Sequence, residues 1–389
     1  MEAVDIAVIG GGPVGLALVA GLAGSGRPLA LIEPQDRAAL AAPPDDGREI
    51  ALTHASRERL SRLGLWEYLP AGQIWPLEQA SVRDRGLPFA LDVAGSTGDQ
   101  AGPLGWMVSN AAIRQAAWRS AQTNGEAVFH TGAALKTVSR QGRQWRLVLD
   151  DGRTLLADAV VAADSRFSST RRLLGVGARS HDHGMAMVVR RVALEKDHHG
   201  IAWQWFGDGM TRALLPLGPR TASAVLTLPM DRAKAVLAMD DLAYGRQVST
   251  WFEHRWGGMR PLTAPHMYPM VTVLADRFSG PGFALAGDAA VGMHPVTAHG
   301  FNLGVRSASI LADVLARHAS GAARDAALLA YAKGHRREAV PLFAATGLVA
   351  SLYTDMRLPA RIARGGALAL ASALPPFSAM LRRHLTQRG

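Results

Sequence analysis

Three glycines near the N-terminus have a spacing that suits dinucleotide binding: Gly10, Gly12 and Gly15. A β-branched run precedes them, an alanine-rich helical stretch follows, and a second apolar run, 29–32, ends at Glu33. In this context the glycines permit a tight turn, a close approach of the backbone to a pyrophosphate, and close helix–strand packing. Free N–H groups at the helix start would bind phosphates, and Glu33 would accept hydrogen bonds from an adenosine ribose. The pattern predicts a dinucleotide site and leaves NAD and FAD both open.

The composition describes a chain of 389 residues that can bury a large core, with 48% hydrophobic and 19% charged residues. It contains no cysteine, which excludes disulfides, iron–sulfur clusters, zinc ribbons and thiol nucleophiles. The formal net charge is +10, a balance that suits nucleic acid, an anionic membrane or acidic ligands, and that is equally typical of an arginine-rich proteome. Because the basic residues are spread along the chain without a nucleic-acid motif, we expect no nucleic-acid partner.

The apolar segments of the chain and its first residues bear on localisation. No segment reaches the roughly 18 uninterrupted apolar residues that a membrane-spanning helix needs. The first residues carry acidic Glu2 and Asp5 and no basic region, so they are typical of a strand and not of a signal peptide. We therefore expect a cytoplasmic protein, either free or peripheral at the inner face of the membrane.

A second glycine-rich segment, 283–304, lies at the opposite end of the chain from the first. If both segments serve one cofactor, the nucleotide domain is discontinuous and the sheet-rich middle of the chain is an insertion. The periodicity predicts strands within 133–165 and 182–274, with one helical stretch near 231–254. Helices are predicted from about residue 56, over 110–121, over 302–319 and over 325–337.

The second segment reads FALAGDAAVGMHPVTAHGFNLG. Together with the N-terminal glycines, GREIALTHAS (47–56) and ADSRFSSTRR (163–172), it resembles the single-component flavoprotein aromatic hydroxylases, the family of 4-hydroxybenzoate hydroxylase. Within that family the chain is most similar to the ubiquinone-biosynthesis hydroxylases, especially the branch described as 5-demethoxyubiquinol 5-hydroxylase. The resemblance runs over essentially the whole chain.

The resemblance implies an α/β fold: a Rossmann-like FAD-binding domain, an inserted sheet-rich substrate domain and a helical C-terminal region. The expected FAD-binding domain combines 1–75, 104–181 and 275–340. The expected substrate domain combines 76–103 and 182–274, and the C-terminal helical region covers 341–389.

The resemblance also assigns FAD contacts. Asp288, at the end of strand FALAG, would hold the ribityl hydroxyls, and Pro295 would pack beside the flavin ring. Backbone N–H groups at Gly300, Phe301 and Asn302 would stabilise negative charge on the reduced flavin. The other matching positions are Pro13 and Val14 in the glycine turn, Arg48 at the phosphates, Asn110 and Arg114 near the ribityl–phosphate region, and Asp164 in the middle motif. A helix cap is the alternative role for Asp288 and Asn110, and a surface salt bridge is the alternative for Arg48.

The chain departs from the family pattern at two positions. Asp164-Ser165 stands where the family has Asp-Gly, which leaves the electron donor open between NAD(P)H and another reductant. His299 replaces the common glutamine before Gly300, a change that concerns the substrate side more than FAD binding, because a backbone N–H does not depend on its own side chain.

The chemistry that the resemblance implies needs few titratable side chains. A reductant converts FAD to its hydroquinone, O₂ adds at C4a, and the hydroperoxide hydroxylates an electron-rich ring. The protein would orient the ring, exclude water and assist proton movement. Candidate catalytic residues are His294, Pro295, His299 and His54, with a structural role as the alternative for each histidine. The pairs His181/His183 and His198/His199 lack a metal-binding framework and are expected in loops, so we expect no metal site.

Two further regions have two interpretations each. Aromatic and apolar residues of the middle domain could line a substrate pocket or form an ordinary sheet core: Trp203, Trp205, Phe206, Leu215, Pro216 and 267–269. The tail 358–388 interleaves apolar residues with arginines, a pattern that suits either an anionic membrane surface or helices packed on the flavin domain.

The sequence therefore predicts an FAD-dependent monooxygenase that hydroxylates a polyprenylated phenol or quinol in ubiquinone biosynthesis. Its expected partners are a lipophilic aromatic substrate and a membrane surface or biosynthetic complex. The alternatives are a monooxygenase of a small soluble phenol and an inactive flavin-bound scaffold. The ring position, the prenyl length and the oligomeric state stay open.

Overall fold

The computed structural model describes residues 2–84, 90–95, 102–294, 299–318 and 320–354. Its strands, in chain order, are β1 (Glu2–Ile9), β2 (Leu29–Glu33), β3 (Glu49–Leu52), β4 (Ile74–Leu77), β5 (Gln79–Asp84), β6 (Ala90–Ala94), β7 (Gly105–Ser109), β8 (Ala127–Thr131), β9 (Leu135–Gln141), β10 (Gln144–Leu149), β11 (Thr154–Ala162), β12 (Ala178–Leu194), β13 (Ile201–Gly207), β14 (Met210–Pro216), β15 (Thr221–Pro229), β16 (Met259–Pro261), β17 (His266–Ala275), β18 (Ser279–Gly280), β19 (Phe283–Leu285) and β20 (Val291–Gly292). The α-helices are α1 (Pro13–Gly21), α2 (Arg37–Ala41), α3 (His54–Arg62), α4 (Asn110–Ala121), α5 (Ser169–Leu173), α6 (Met230–Leu237), α7 (Asp241–Trp251), α8 (His299–Arg317) and α9 (Gly321–Thr354).

The first sheet is mostly parallel and has the order β18-β19-β11-β1-β2-β8, with β10 and β9 following β11 on a side branch. Its central strands are buried on both faces, which explains why β1 and β2 are nearly uninterrupted apolar runs. Helix α1 packs against α4 and against α8, and all three belong to the same hydrophobic core as this sheet. The expected strand, glycine turn, helix and second strand are present, with Glu33 as the last residue of β2.

The second sheet is mostly antiparallel and has the order β20-β17-β12-β15-β14-β13-β5-β6. Between β5 and β13 the pairing is parallel. One face of this sheet packs against α6 and α7, where the indoles of Trp203 and Trp205 stack with ring centroids 5.3 Å apart. Both rings also contact Trp256, so the structure places them in an ordinary sheet core.

A small third sheet, β3-β7-β4, packs beside the second sheet through apolar side chains that include Trp75, Leu215 and Leu217. Helix α9 packs on α8 and on strands β18 and β19, near one edge of the first sheet. Within the described residues, no helix is both long enough and apolar enough to cross a membrane.

Three local expectations differ from the structure. His181 and His183 lie on β12 and not in a loop, because the strand continues through an irregularity in its pairing with β17 between Asp182 and Ala186. The single helical stretch near 231–254 is two helices, because Asp240 accepts a hydrogen bond from the N–H of Ala243 and starts α7 anew. The expected boundary between 340 and 341 falls inside α9, which continues through Pro341.

His335 is buried on α9, and neither of its ring nitrogens has a hydrogen-bond partner in the described structure. Its imidazole stacks on Tyr331, with centroids 5.6 Å apart, and lies 5.5 Å from the ring of Phe278. Burial, with a smaller contribution from the charge of Arg306, lowers the pKa of His335 from 6.5 to about 4. The imidazole is therefore neutral in the folded protein near pH 7.

This burial makes the free energy of unfolding depend on pH. Between about pH 6.5 and pH 4 the unfolded chain binds a proton at His335 that the folded chain does not. Stability is therefore complete above pH 6.5 and falls as the pH is lowered, by about 2 kcal/mol at pH 5 from this residue alone. We expect His335→Phe, which keeps the stacking and removes the titration, to lose less stability than the wild type between pH 7.5 and pH 5 in denaturant titrations.

The matched control is His199→Asn, because His199 is exposed and has a positive φ that asparagine tolerates. This variant should lose as much stability as the wild type over the same pH interval. An unchanged pH dependence in His335→Phe would show that the buried imidazole is not responsible.

Candidate FAD site

The glycine turn between β1 and α1 has the geometry that a nucleotide turn requires. Gly10 has φ +113°, and a Cβ there would lie 2.5 Å from the carbonyl oxygen of Ala163. A Cβ at Gly15 would collide with the carbonyl oxygen of Gly10. At Gly12, by contrast, a Cβ would meet no protein atom within 4 Å. Gly10 and Gly15 therefore shape the turn, and Gly12 leaves open space at the helix start where a pyrophosphate can approach.

Glu33 reaches into this turn from the end of β2. Its Oε2 accepts a hydrogen bond of 2.5 Å from the N–H of Gly11, and its Oε1 accepts one of 2.9 Å from Gln35. The carboxylate thus lies beside the glycine turn, where the ribose of a bound nucleotide is expected.

The phosphate-binding candidates Arg48 and Asn110 converge on one carboxylate, that of Asp46. Arg48 donates from Nε (3.0 Å) and Nη2 (2.6 Å), and Asn110 donates from Nδ2 (2.7 Å), all to Oδ2 of Asp46. Burial raises the pKa of Asp46, but the hydrogen bonds and charge of Arg48, with the amide of Asn110, outweigh it and hold this pKa below its ordinary value. These donors form a pair suited to an anionic group.

The alternative roles of these residues can be compared with the geometry. Asn110 is not the cap of α4, because Ser109 is the cap and accepts a hydrogen bond from Ala112. Arg48 does form a salt bridge, with Asp46, and its side chain is 41% exposed. Arg114 lies further along α4 and donates to Oε1 of Gln35 at 2.9 Å, beside the loop that follows Glu33.

The middle motif (163–172) and the second glycine-rich segment (283–304) meet where the parallel strands β11 and β19 of the first sheet end. The carboxylate of Asp164 accepts hydrogen bonds from Oγ of Ser168 (2.5 Å) and the N–H of Thr170 (3.2 Å), and so it stabilises the turn before α5. Its Cα would lie 2.6 Å from a Cβ at Gly10. Asp288 lies in a single 3-10 turn, Gly287–Ala289, and is paired with Arg166.

The start of α8 is tied to the segment that contains GREIALTHAS. Oδ1 of Asn302 accepts a hydrogen bond from the N–H of Thr53 (3.3 Å), and Nδ2 donates to the carbonyl of Ala51 (2.9 Å). A Cβ at Gly300 would meet open space, whereas Phe301 packs on the main core. Val14, from the glycine turn, packs against Gly287 and Gly304. Pro295 lies outside the described residues.

The histidine candidates occupy different surroundings. His54 has Nε2 2.8 Å from the carbonyl oxygen of Pro103 and packs 4.7 Å from the ring of Trp106. His299 is the first residue of α8. His294 is buried, and its ring lies 5.2 Å from that of His183.

The ring of His183 in turn lies 4.5 Å from that of His181, which is exposed. Burial, and then the proximity of His183, lowers the pKa of His294 to about 4. Burial, and then His181, lowers the pKa of His183. His294 is therefore a neutral imidazole near pH 7. The sequence missed this grouping because the long-range pairing of β12 with β17 creates it.

A cavity of about 470 Å³ lies between the second sheet on one side and the third sheet with α4 on the other, and its polar wall includes Asp45, Glu49 and Arg191. The side chain of Glu49 is almost fully buried and accepts hydrogen bonds of 2.7–2.8 Å from Arg191, which also pairs with Asp45. Burial raises the pKa of Glu49 to about 7, against the opposing effect of Arg191. The cluster of charged residues at 45–49 (DDGRE) was the available sequence signal for this site and for Asp46.

Within the described residues, no group of histidines and carboxylates has the arrangement of a metal site. The residues do fit FAD. An open glycine turn and the Arg48–Asn110 donor pair suit phosphates, and carboxylates at Glu33 and Asp288 suit hydroxyls. The arrangement is that of a dinucleotide-dependent protein.

Comparisons with known proteins define the family. The FAD binding domain family matches residues 3–344. The chain is 38% identical to "Ubiquinone hydroxylase UbiM" of Neisseria meningitidis, over 98% of this chain and 84% of that protein. It is 30% identical to the "3-demethoxyubiquinol 3-hydroxylase" of Escherichia coli, over 80% of this chain and 79% of that protein. The chain therefore belongs to the family of FAD-dependent flavoprotein hydroxylases, as its motifs indicated, and it is a monooxygenase of that class.

The solved structures confirm the fold class. The p-nitrophenol 4-monooxygenase PnpA of Pseudomonas putida superposes with a TM-score of 0.79, covering all of both chains at 16% identity. The expected α/β architecture is thus confirmed, whereas the individual FAD-contacting residues and the domain boundaries stay predictions.

The two roles of the glycines can be separated by substitution. We expect Gly12→Ala to keep the melting temperature of the FAD-free protein, since its Cβ meets no protein atom, and to weaken FAD binding at least tenfold, since the methyl group fills the phosphate approach. Gly15→Ala should lower both the melting temperature and the affinity, because its Cβ collides with the turn itself. Flavin fluorescence titration and circular dichroism measure the two quantities.

Gly125→Ala is the matched control, because its Cβ also meets open space and it lies outside the turn. It should change neither quantity. Unaltered FAD affinity in Gly12→Ala would contradict the assignment of the pyrophosphate to this turn.

Proposed function

We propose that this monooxygenase hydroxylates the aromatic ring of a polyprenylated phenol or quinol in ubiquinone biosynthesis. The observation that carries the proposal is the similarity, over 98% of the chain, to a protein named as a ubiquinone hydroxylase. The name of the E. coli relative supports a demethoxyubiquinol as one substrate to test.

The residues of the chain divide the work of such a reaction. The glycine turn and the start of α1 bind the pyrophosphate, Glu33 binds the ribose, and Asp288 holds the ribityl chain. Bound FAD supplies the oxygen-activating redox chemistry, with O₂ as co-substrate. The N–H groups at the start of α8 stabilise negative charge at the edge of the flavin.

A phenol or quinol must also lose a proton for its ring to react as an electron-rich nucleophile. His294 is the candidate acceptor for that proton: burial keeps its imidazole neutral near pH 7, and its pKa of about 4 means that it would pass the proton on and not hold it. His183 lies next to it and leads toward the exposed His181. His54 and His299 are kept as further candidates at the segments tied to the start of α8.

The electron donor and the partners belong to the same proposal. NAD(P)H is the first donor to test, and another reductant is the alternative, since Asp164-Ser165 departs from the family pattern. The net charge of +10 supports a peripheral position at an anionic membrane surface, where a polyprenylated substrate resides, or within a biosynthetic complex. We propose a cytoplasmic location at the inner face of the membrane and no nucleic-acid partner.

The proposal is tested first on the flavin and then on the substrate. The purified protein should show an oxidised-flavin spectrum that bleaches anaerobically with NAD(P)H. Incubated in air with a demethoxyubiquinol of short prenyl chain, it should yield a product heavier by one oxygen, detected by mass spectrometry with ¹⁸O₂.

The substrate class is distinguished by comparing that quinol with a soluble phenol of the same ring. Faster turnover of the soluble phenol would assign the enzyme to small phenols instead. A flavin that neither donor reduces and that supports no hydroxylation after dithionite reduction would indicate a scaffold protein and refute the proposal.

A further inference from the structure

Arg166, in the middle motif, makes contacts that connect three parts of the molecule. Its Nε and Nη2 donate to Asp288, at 3.2 and 2.9 Å, and its Nη1 donates to the carbonyl of Val271 on β17, at 3.0 Å. The residue follows β11, Asp288 follows β19, and β17 belongs to the second sheet. The guanidinium therefore joins two strand ends of the first sheet to the second sheet.

Arg166 contacts only one of the two carboxylate oxygens of Asp288. Both donating groups reach the same oxygen, Oδ2, whereas an ordinary arginine–carboxylate fork engages both oxygens. Within the described residues, no hydrogen bond to Oδ1 of Asp288 is present. The side chain of Asp288 is 36% exposed, so this second oxygen can accept a hydrogen bond from a ligand.

The backbone around Arg166 and Asp288 is also held by Arg171 and by the packing of Gly292. Arg171 is buried and donates from Nη1 to the carbonyl of Ala289 (3.0 Å) and to the carbonyl of Arg166 (3.2 Å). A Cβ at Gly292 would lie 3.0 Å from the Cβ of Arg166, so the strand after the 3-10 turn packs directly on the arginine. The turn that carries Asp288 is thus held by two arginines of the middle motif.

We propose that Arg166 is a positioning residue for FAD: it binds one oxygen of Asp288, fixes the orientation of the carboxylate, and directs the other oxygen toward the ribityl hydroxyls. The inference rests on the proposed function only through FAD binding, and it holds whether or not the substrate is a polyprenylated quinol. It assigns a role to the middle motif that acts through Asp288 and needs no direct contact between Arg166 and the cofactor.

A double-mutant cycle on FAD affinity tests this role without any substrate. The dissociation constant of FAD is measured by flavin fluorescence for the wild type, Arg166→Gln, Asp288→Asn and the double variant. We expect Arg166→Gln to weaken binding about tenfold, and we expect no further loss when it is added to Asp288→Asn. Arg166→Lys, which keeps the charge with a shorter reach, should recover part of the affinity.

Arg172→Gln is the matched control, because Arg172 belongs to the same middle motif and donates to the carbonyl of Phe167, away from Asp288. It should change the affinity less than twofold. A merely structural role for Arg166 would instead give equal losses in both backgrounds of the cycle, and that additivity would overturn the proposal, as would unchanged affinity in Arg166→Gln.

Circular dichroism of the FAD-free variants accompanies the titrations. If Arg166→Gln does not fold, the cycle is run with Arg166→Lys and judged by the same non-additivity. If the cycle is non-additive and the enzyme hydroxylates no quinol, the proposed substrate fails and the role of Arg166 stands.

Discussion

The parallel pairing of β11 with β1 and with β19 is the constraint on which the candidate site depends. Ile9 lies opposite Ala162, and Ala162 lies opposite Leu285, so three strands end at the same level of the sheet. The residues that follow these ends come from three distant motifs, yet they must meet at one edge. Closing such long loops costs conformational entropy that grows only slowly with loop length, and the burial of these apolar strands offsets it.

The edge that results offers two kinds of group, which match the two kinds of polar group on a flavin dinucleotide. Phosphates need donors, and the candidates for this role are the start of α1, Arg48 and Asn110. Sugar and ribityl hydroxyls need acceptors, and the candidates for this role are the carboxylates of Glu33 and Asp288. Each of these carboxylates is already hydrogen-bonded to the protein, Glu33 by Gly11 and Asp288 by Arg166. Their orientation is therefore set before a ligand arrives, which lowers the entropy cost of binding.

The sequence predicts those parts of the site that local rules determine. The glycine spacing has a steric meaning that holds within a few residues, and α4 begins and ends where its pattern indicates, at Asn110 and Ala121. The partners of charged side chains could not be predicted in this way. Arg166 was within a recognised motif, but its partner Asp288 lies 122 residues away, and only the pairing of β11 with β19 brings them together.

The alternation of side chains along a strand explains a second limit of prediction from the sequence. Trp203 and Trp205 share one face of β13 because side chains two residues apart point the same way, and that face is covered by Phe252 and Trp256, which follow α7. Periodicity identifies the face but not what covers it. The same reason applies to His183. It comes next to His294 only because β12 pairs with β17 and β17 pairs with β20, the strand that precedes His294.

Burial shifts the pKa of Glu49 and the pKa of His294 in opposite directions. It raises the pKa of the Glu49 carboxyl to about 7, so the contact of Glu49 with Arg191 loses its charge in part of the molecules near neutral pH. It lowers the pKa of His294 to about 4, so this imidazole stays neutral over the same range. One physical effect thus leaves His294 insensitive to pH changes near neutrality, and it makes the Glu49–Arg191 contact the group that responds to them.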